Sequence, residues 1–220
     1  FYNALSVVNC RRKDLLQFIE EVRDTDDLSQ VPLHYFEHLQ RQCKPGVPIV
    51  FKAADQIMCL EKLQQCSPRS KKIVIIRDGR DAAISALHFN KLMTQWDAPW
   101  RPQQISFHDR LRAWSTRAAA LAHHCRKHDI LVLRYEDLQR DFHGVCASLF
   151  QRLGLARSPQ LLEQIHQQTN FSAVTGGREP GESAEAVVRK GVIGEWKSTL
   201  GEEDATLAWK TAQGELRRFG

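Results

Sequence analysis

Leu15, Phe18, Ile19 and Val22 recur at helical spacing through residues 14–23, so this stretch predicts an amphipathic helix. Residues 1–9 read as the tail of an earlier helix, and the polar stretch from Asp24 to Gln30 reads as a loop. The run from Val47 to Phe51, after Pro45 and Gly46, predicts a short buried strand, and residues 55–65 a helix. The clearest strand runs from Lys72 to Arg77, where consecutive Ile and Val residues suit cover on both faces. A helix is predicted over 81–93 and a longer one over 108–127, with Leu111, Trp114, Ala118 and Leu121 on one side. Ile130 to Tyr135 predicts another strand, and 143–153, 159–168 and 203–218 predict helices. Residues 172–188 are rich in Gly, Ser, Glu and Pro and predict a mobile loop. Apolar strands alternating with helices predict an α/β fold of three layers, a parallel central sheet with helices on both faces. Such sheets bind ligands beyond the carboxyl ends of their strands, so the residues just after each strand matter most.

The 220 residues suit a single domain, 1–220, with a sizeable core. Apolar residues at 42% and charged residues at 26% are ordinary for a soluble globular chain. No run approaches the roughly 20 apolar residues of a membrane helix, and no signal-peptide pattern is present. These features predict a cytoplasmic protein without a membrane segment. A net charge of +5 suits an anionic ligand, whereas the absence of long Lys/Arg runs argues against nucleic acid. The six cysteines form no C-x-x-C pair and predict free thiols in a reducing compartment.

Two segments carry candidate chemistry. Arg77 ends the strand and is followed by Asp78-Gly79-Arg80-Asp81, with Ser85 one helical turn further on. Gly79 eases the turn, Asp78 and Asp81 have the spacing of a helix cap and its first-turn partner, and Arg77 can grip a phosphate in two bonds. A helix N-terminus there adds oriented N–H groups. A structural Arg–Asp pair at a strand–helix turn fits the same residues. The second segment, Arg189-Lys190-Gly191-Val192-Ile193-Gly194-Glu195-Trp196-Lys197, combines cations with glycines that let backbone approach an anion. It also reads as a basic surface loop held by Trp196.

Together, and in order, these segments resemble the PAPS-dependent sulfotransferase family in its cytosolic-type branch, a P-loop NTPase-like fold. The resemblance rests on Arg77…Ser85 with His88-Phe89 after it, on Tyr135-Glu136-Asp137-Leu138 after a strand, on Thr169-Asn170-Phe171, and on the loop from Arg189 to Lys197. It implies that Arg77 and Ser85 hold the 3′-phosphate of PAPS, with Arg189, Lys190 and Gly191 on its other side. It implies that Tyr135, Thr169 and Phe171 lie by the adenine, Phe171 by stacking. Glu136 and Asp137 would support the turn, and Trp196 would pack. The implied reaction moves a sulfuryl group from PAPS, as co-substrate, to a hydroxyl or amine of a small-molecule or glycan acceptor, with no metal required. A homodimer stays open.

The sequence departs from the family twice. The family's N-terminal glycine loop for the 5′-phosphosulfate has no counterpart here, and that loop is expected upstream of Phe1. Where many cytosolic members carry Lys-Thr-His, this chain reads Lys52-Ala53-Ala54-Asp55. Lys52 fits the family's lysine, and Asp55 is the candidate base, although it also suits a helix N-cap. Ala54 and the absent loop leave open a non-catalytic module that binds nucleotide or a partner. A P-loop kinase-like phosphotransferase is a further alternative, which would need a G-x-x-x-x-G-K-[ST] motif. His123, His124, Cys125 and His128 could share a metal or decorate a helix end, and Trp96, Pro99 and Trp100 could line an acceptor pocket or anchor a loop.

Overall fold

Ile73, Val74 and Ile75 and, further on, Leu131, Val132 and Leu133 form two parallel strands among the described residues. The computed structural model describes residues 18–20, 22, 23, 34, 35, 37, 38, 41, 50, 52, 56–95, 105–182 and 186–220. The chain divides into two compact units, Phe1–Ser70 and Lys71–Gly220.

In the first unit, Phe18 and Val22 belong to helical backbone, as the amphipathic spacing predicts. Phe18 is buried and meets the ring of Tyr35 edge-on at 5.0 Å and that of His38 at 5.6 Å. A 3-10 turn, Gln56–Cys59, leads into α1, Leu60–Cys66. The predicted helical tail at 1–9 and nearly all of the predicted strand ending at Phe51 lie outside the described residues.

In the second unit, β1 (Lys72–Ile76) pairs in parallel with β2 (Ile130–Arg134), Val74 opposite Val132. Between them run α2, Gly79–Gln95, and α3, Phe107–His124. After β2 come α4 (Tyr135–Arg140), α5 (Phe142–Leu153), α6 (Pro159–Thr169) and α7 (Phe171–Thr175). The chain ends with α8 (Trp196–Thr199) and α9 (Glu202–Phe219). Every predicted helix from 81 onward is present, with its ends within three residues of those predicted.

Local chemistry explains the boundaries. The Ser106 hydroxyl accepts from the Asp109 N–H, and the Asp109 carboxylate accepts from the Ser106 N–H, a capping box that starts α3. Ser158 and Asn170 cap α6 and α7 in the same sense, and Gly154 ends α5 in the left-handed conformation. The core forms where α2, α3 and α9 meet: Ala83, Leu111, Ala208, Ala212 and Leu216 are all at most 3% exposed. Small residues at three of these positions let the helices approach closely, and Phe107 and Trp114 pack on the margin.

Two features differ from the sequence expectation. Among the described residues of β1, Ile73 and Ile75 are 40% and 62% exposed, while Ile76 is buried. The loop after Phe171 is pinned on itself, because the Arg178 guanidinium donates to the carbonyls of Val188 and Arg189. Its composition hides this, since one Arg satisfying two distant carbonyls leaves no local sequence signal.

Candidate functional site

The carboxyl end of β1 sets the geometry. The Trp114 indole N–H of α3 donates to the Arg77 carbonyl at 3.1 Å, fixing where the strand stops. A Cβ on Gly79 would lie 2.4 Å from the Trp114 ring, so glycine is required by this close approach. The expectation that Gly79 eases a turn is therefore corrected: its φ is not positive, and it opens α2. Asp78 accepts from the Arg80 N–H at 2.9 Å and grips the Arg80 side chain, whose guanidinium lies over the Trp196 ring at 3.6 Å. The Asp78 N–H donates to the buried Glu136 carboxylate at 2.9 Å, which ties the end of β1 to the start of α4. Glu136 and Trp196 thus have the supporting and packing roles assigned from sequence.

Asp81 is not the first-turn partner of Asp78. It is 1% exposed, and its carboxylate accepts from the N–H groups of Gly194 (2.6 Å) and Trp196 (2.9 Å). Arg77 approaches the same carboxylate at 3.6 Å and donates to the Val192 carbonyl at 2.8 Å. The glycine loop is therefore fastened to the end of β1 by both residues. Within the loop, Gly191 has φ 64° and Gly194 φ 76°, and a Cβ on Gly191 would lie 2.2 Å from the Phe171 ring. Only glycine satisfies both the conformation and the contact.

These connections enclose a pocket of about 290 Å³. Arg77, Ser85, Tyr135, Thr169, Phe171, Arg189, Lys190 and Gly191, all eight residues singled out from sequence for a nucleotide, line it. They come from the end of β1, the second turn of α2, the start of α4, the α6–α7 junction and the glycine loop. The Arg77 guanidinium lies over the Tyr135 ring at 4.8 Å. Burial pushes the Tyr135 phenol up from its ordinary pKa, with the Arg77 charge acting against it. The Arg77 Nε is buried and has no hydrogen-bond partner.

Glu195, also in the wall, was not singled out from sequence. It is 7% exposed, bonded to Arg189, and 3.1 Å from the Lys190 ammonium. Burial opposes its ionisation, but hydrogen bonds and charge from Arg189 and Lys190 hold its carboxyl below the usual range. Three cations, Arg77, Arg189 and Lys190, thus face two buried carboxylates, Asp81 and Glu195. His88 feels this excess: burial and then the Arg189 charge lower its pKa. The only sequence signal for Asp81 and Glu195 was acid placed next to basic motif residues, which is common on solvated surfaces.

A family model described as "Sulfotransferase domain" matches residues 13–220. The chain belongs to the sulfotransferase family. Mouse Sulfotransferase 1E1 is 22% identical over 219 residues, a match covering 90% of this chain and 65% of that protein. Human Sulfotransferase 2B1 is 25% identical over 154 residues, 60% of this chain and 40% of that one. The chain thus spans less than two thirds of the length of the curated relatives it matches. Among solved structures, mouse sulfotransferase SULT7A1 complexed with PAP superposes with a TM-score of 0.61 at 19% identity, covering 93% of this chain and 79% of that one. Retinol dehydratase in complex with androsterone and inactive cofactor PAP gives 0.52 at 19% identity, covering 99% and 70%. These likenesses show the α/β fold.

Lys52 is exposed and belongs to the first unit, while Ala54, Asp55, Trp96, Pro99 and Trp100 lie outside the described residues. His124 is 8% exposed, with the His128 ring stacked at 6.2 Å. Among the described residues Cys59, Cys125 and Cys146 are free thiols, and burial raises the pKa of the latter two. No helix among the described residues is long and apolar enough to cross a membrane.

Proposed function

We propose that the protein transfers a sulfuryl group from PAPS to a hydroxyl or amine of a small-molecule acceptor, and that the pocket between β1 and the glycine loop holds the 3′-phosphoadenosine part of the donor. The observation that carries this reading is the convergence of Arg77 and Ser85 with Arg189, Lys190 and Gly191 on one small pocket, from segments more than 100 positions apart. A 3′-phosphate dianion fits that arrangement because planar guanidinium groups bond phosphate in pairs and the cations of the pocket wall outnumber its one carboxylate, Glu195. Phe171 and Tyr135 offer faces and edges for the adenine, and Thr169 a hydroxyl.

Anchoring the 3′-phosphate orients the donor for in-line attack. The acceptor oxygen or nitrogen bonds to sulfur as the bond to the 5′-phosphate oxygen breaks. The acceptor's proton passes to a base, and PAP leaves. On the family resemblance, Lys52 is proposed to steady charge on the bridging oxygen and Asp55 to take the proton. Residues 1–220 are read as one domain of this family, because the family match crosses the boundary between the two units. A cytoplasmic setting accords with the relatives' type.

Differential scanning fluorimetry with PAP, 5′-AMP and ATP tests the binding half. A ligand that binds only the folded state raises its apparent stability. PAP is expected to stabilise the chain selectively, with the shift reduced in Ser85→Ala and abolished in Arg77→Lys. Equal responses to PAP and 5′-AMP would remove the 3′-phosphate assignment. Sulfuryl transfer from radiolabelled PAPS tests the other half, since binding without turnover would favour a nucleotide-binding module with Ala54 at the family's histidine position.

A further inference from the structure

Outside the lining of that pocket, α5 and α6 bring two histidines and a glutamate together. His143 stands on the first turn of α5, and Glu163 and His166 lie three apart on α6, on one helical face. One potential ligand atom from each lies within 4.8 Å of the other two. The His143 Nε2 is 3.0 Å from Glu163 Oε2. The ring of His166 packs on Phe142 at 4.8 Å and meets the His143 ring at 5.3 Å, which restrains its orientation. The other Glu163 oxygen accepts from the Gln167 amide at 2.8 Å.

We propose that His143, Glu163 and His166 form a binding site for a late first-row divalent cation of the zinc class, bridging α5 and α6. Two imidazoles and a carboxylate are a ligand set that zinc accepts, with a water completing four-coordination. Tetrahedral zinc with bonds near 2.0–2.1 Å needs ligand atoms about 3.3 Å apart. One pair, His143 Nε2 and Glu163 Oε2 at 3.0 Å, lies close to this spacing, and side-chain rotation of the half-exposed groups brings in the third. The imidazoles set the selectivity, because magnesium and calcium take oxygen ligands. Gln167 holds the carboxylate that would face the metal, the kind of outer partner that orients a ligand. All three ligands stand on regular helices rather than loops. Among the described residues, both His166 ring nitrogens lack a hydrogen bond and are available as donors to a metal.

Isothermal titration of the purified chain with ZnCl2, after chelator treatment, tests the site. Wild type is expected to bind zinc with affinity that falls at least about tenfold in Gln167→Ala. Binding should weaken further in Glu163→Gln and disappear from this site in the triple variant His143→Ala, Glu163→Gln, His166→Ala. Circular dichroism checks that the variants fold, which their exposed positions favour. Cobalt substitution should give visible bands without thiolate charge transfer, excluding the cysteines as ligands. MgCl2 is expected to give no heat. Zinc affinity unchanged in the triple variant, or no binding by the wild type, overturns the proposal.

Discussion

Asp81, on the first turn of α2, accepts a 2.6 Å hydrogen bond from the backbone N–H of Gly194, 113 positions further along the chain. A second bond, from the Trp196 N–H, engages its other oxygen. This fully buried carboxylate therefore shapes the glycine loop from below while Arg77 and Val192 close it from the side. Replacing it strands two part-buried N–H donors and the part-buried Arg77 cation. Asp81→Ala is expected to cost about 3–5 kcal/mol. Urea denaturation reads this directly, and a loss below about 1 kcal/mol would mean that the loop holds its shape without Asp81.

Gly191 and Gly176 both have positive φ, 64° and 72°, but only Gly191 has a neighbour in the way. Alanine in the left-handed region costs about 1–2 kcal/mol in either place. At Gly191 the new methyl would also displace Phe171 from the pocket wall. Gly191→Ala should therefore weaken PAP binding as well as stability, and Gly176→Ala should lower stability alone. Titration calorimetry of the two variants separates the effects, and equal PAP affinities would argue against Phe171 as part of the adenine site.

Glu195 gives the pocket a pH signature. Its carboxyl lies below the ordinary 4.5 in the folded chain, because the Arg189 and Lys190 interactions outweigh burial. A depressed folded pKa contributes stability that is present above the unfolded value and lost as pH falls through the folded value. Wild type should exceed Glu195→Gln in melting temperature at neutral pH, and the two curves should converge in acid below 4.5. A constant difference across the acid range would exclude the charge as the cause.

His88 reports occupancy of the same pocket. Burial first, and then the Arg189 charge, lower its pKa from 6.5. A bound phosphate dianion offsets those cations, so PAP is expected to raise the His88 pKa. Linkage then requires PAP to bind more tightly as pH falls through that range. Imidazole NMR titration with and without PAP reads both values, and an unmoved resonance would separate the phosphate from the cation cluster.

Much of the helical framework was legible in the chain itself. Leu111, Trp114, Ala118 and Leu121 mark α3 by spacing, a local signal, whereas the Ser106–Asp109 capping box that starts it emerged with the structure. The strand Lys72–Ile76 was equally plain from its β-branched run. The eight pocket residues were named through the family resemblance of their motifs, and of these Arg77 and Tyr135 also directly follow a strand, where an α/β fold binds its ligand.

The sequence by itself determined the elements and the α/β class, because propensity and spacing act over a few residues, and the family resemblance of its motifs pointed to the cations of the pocket. Only the tertiary structure decided what those cations and glycines meet. Gly79 is glycine because Trp114 presses on it, Asp81 serves a loop 113 positions away, and Glu195 neutralises the cations beside it. Close approach and buried charge pairing depend on distances between segments far apart in the chain. No local pattern of residue types records such distances.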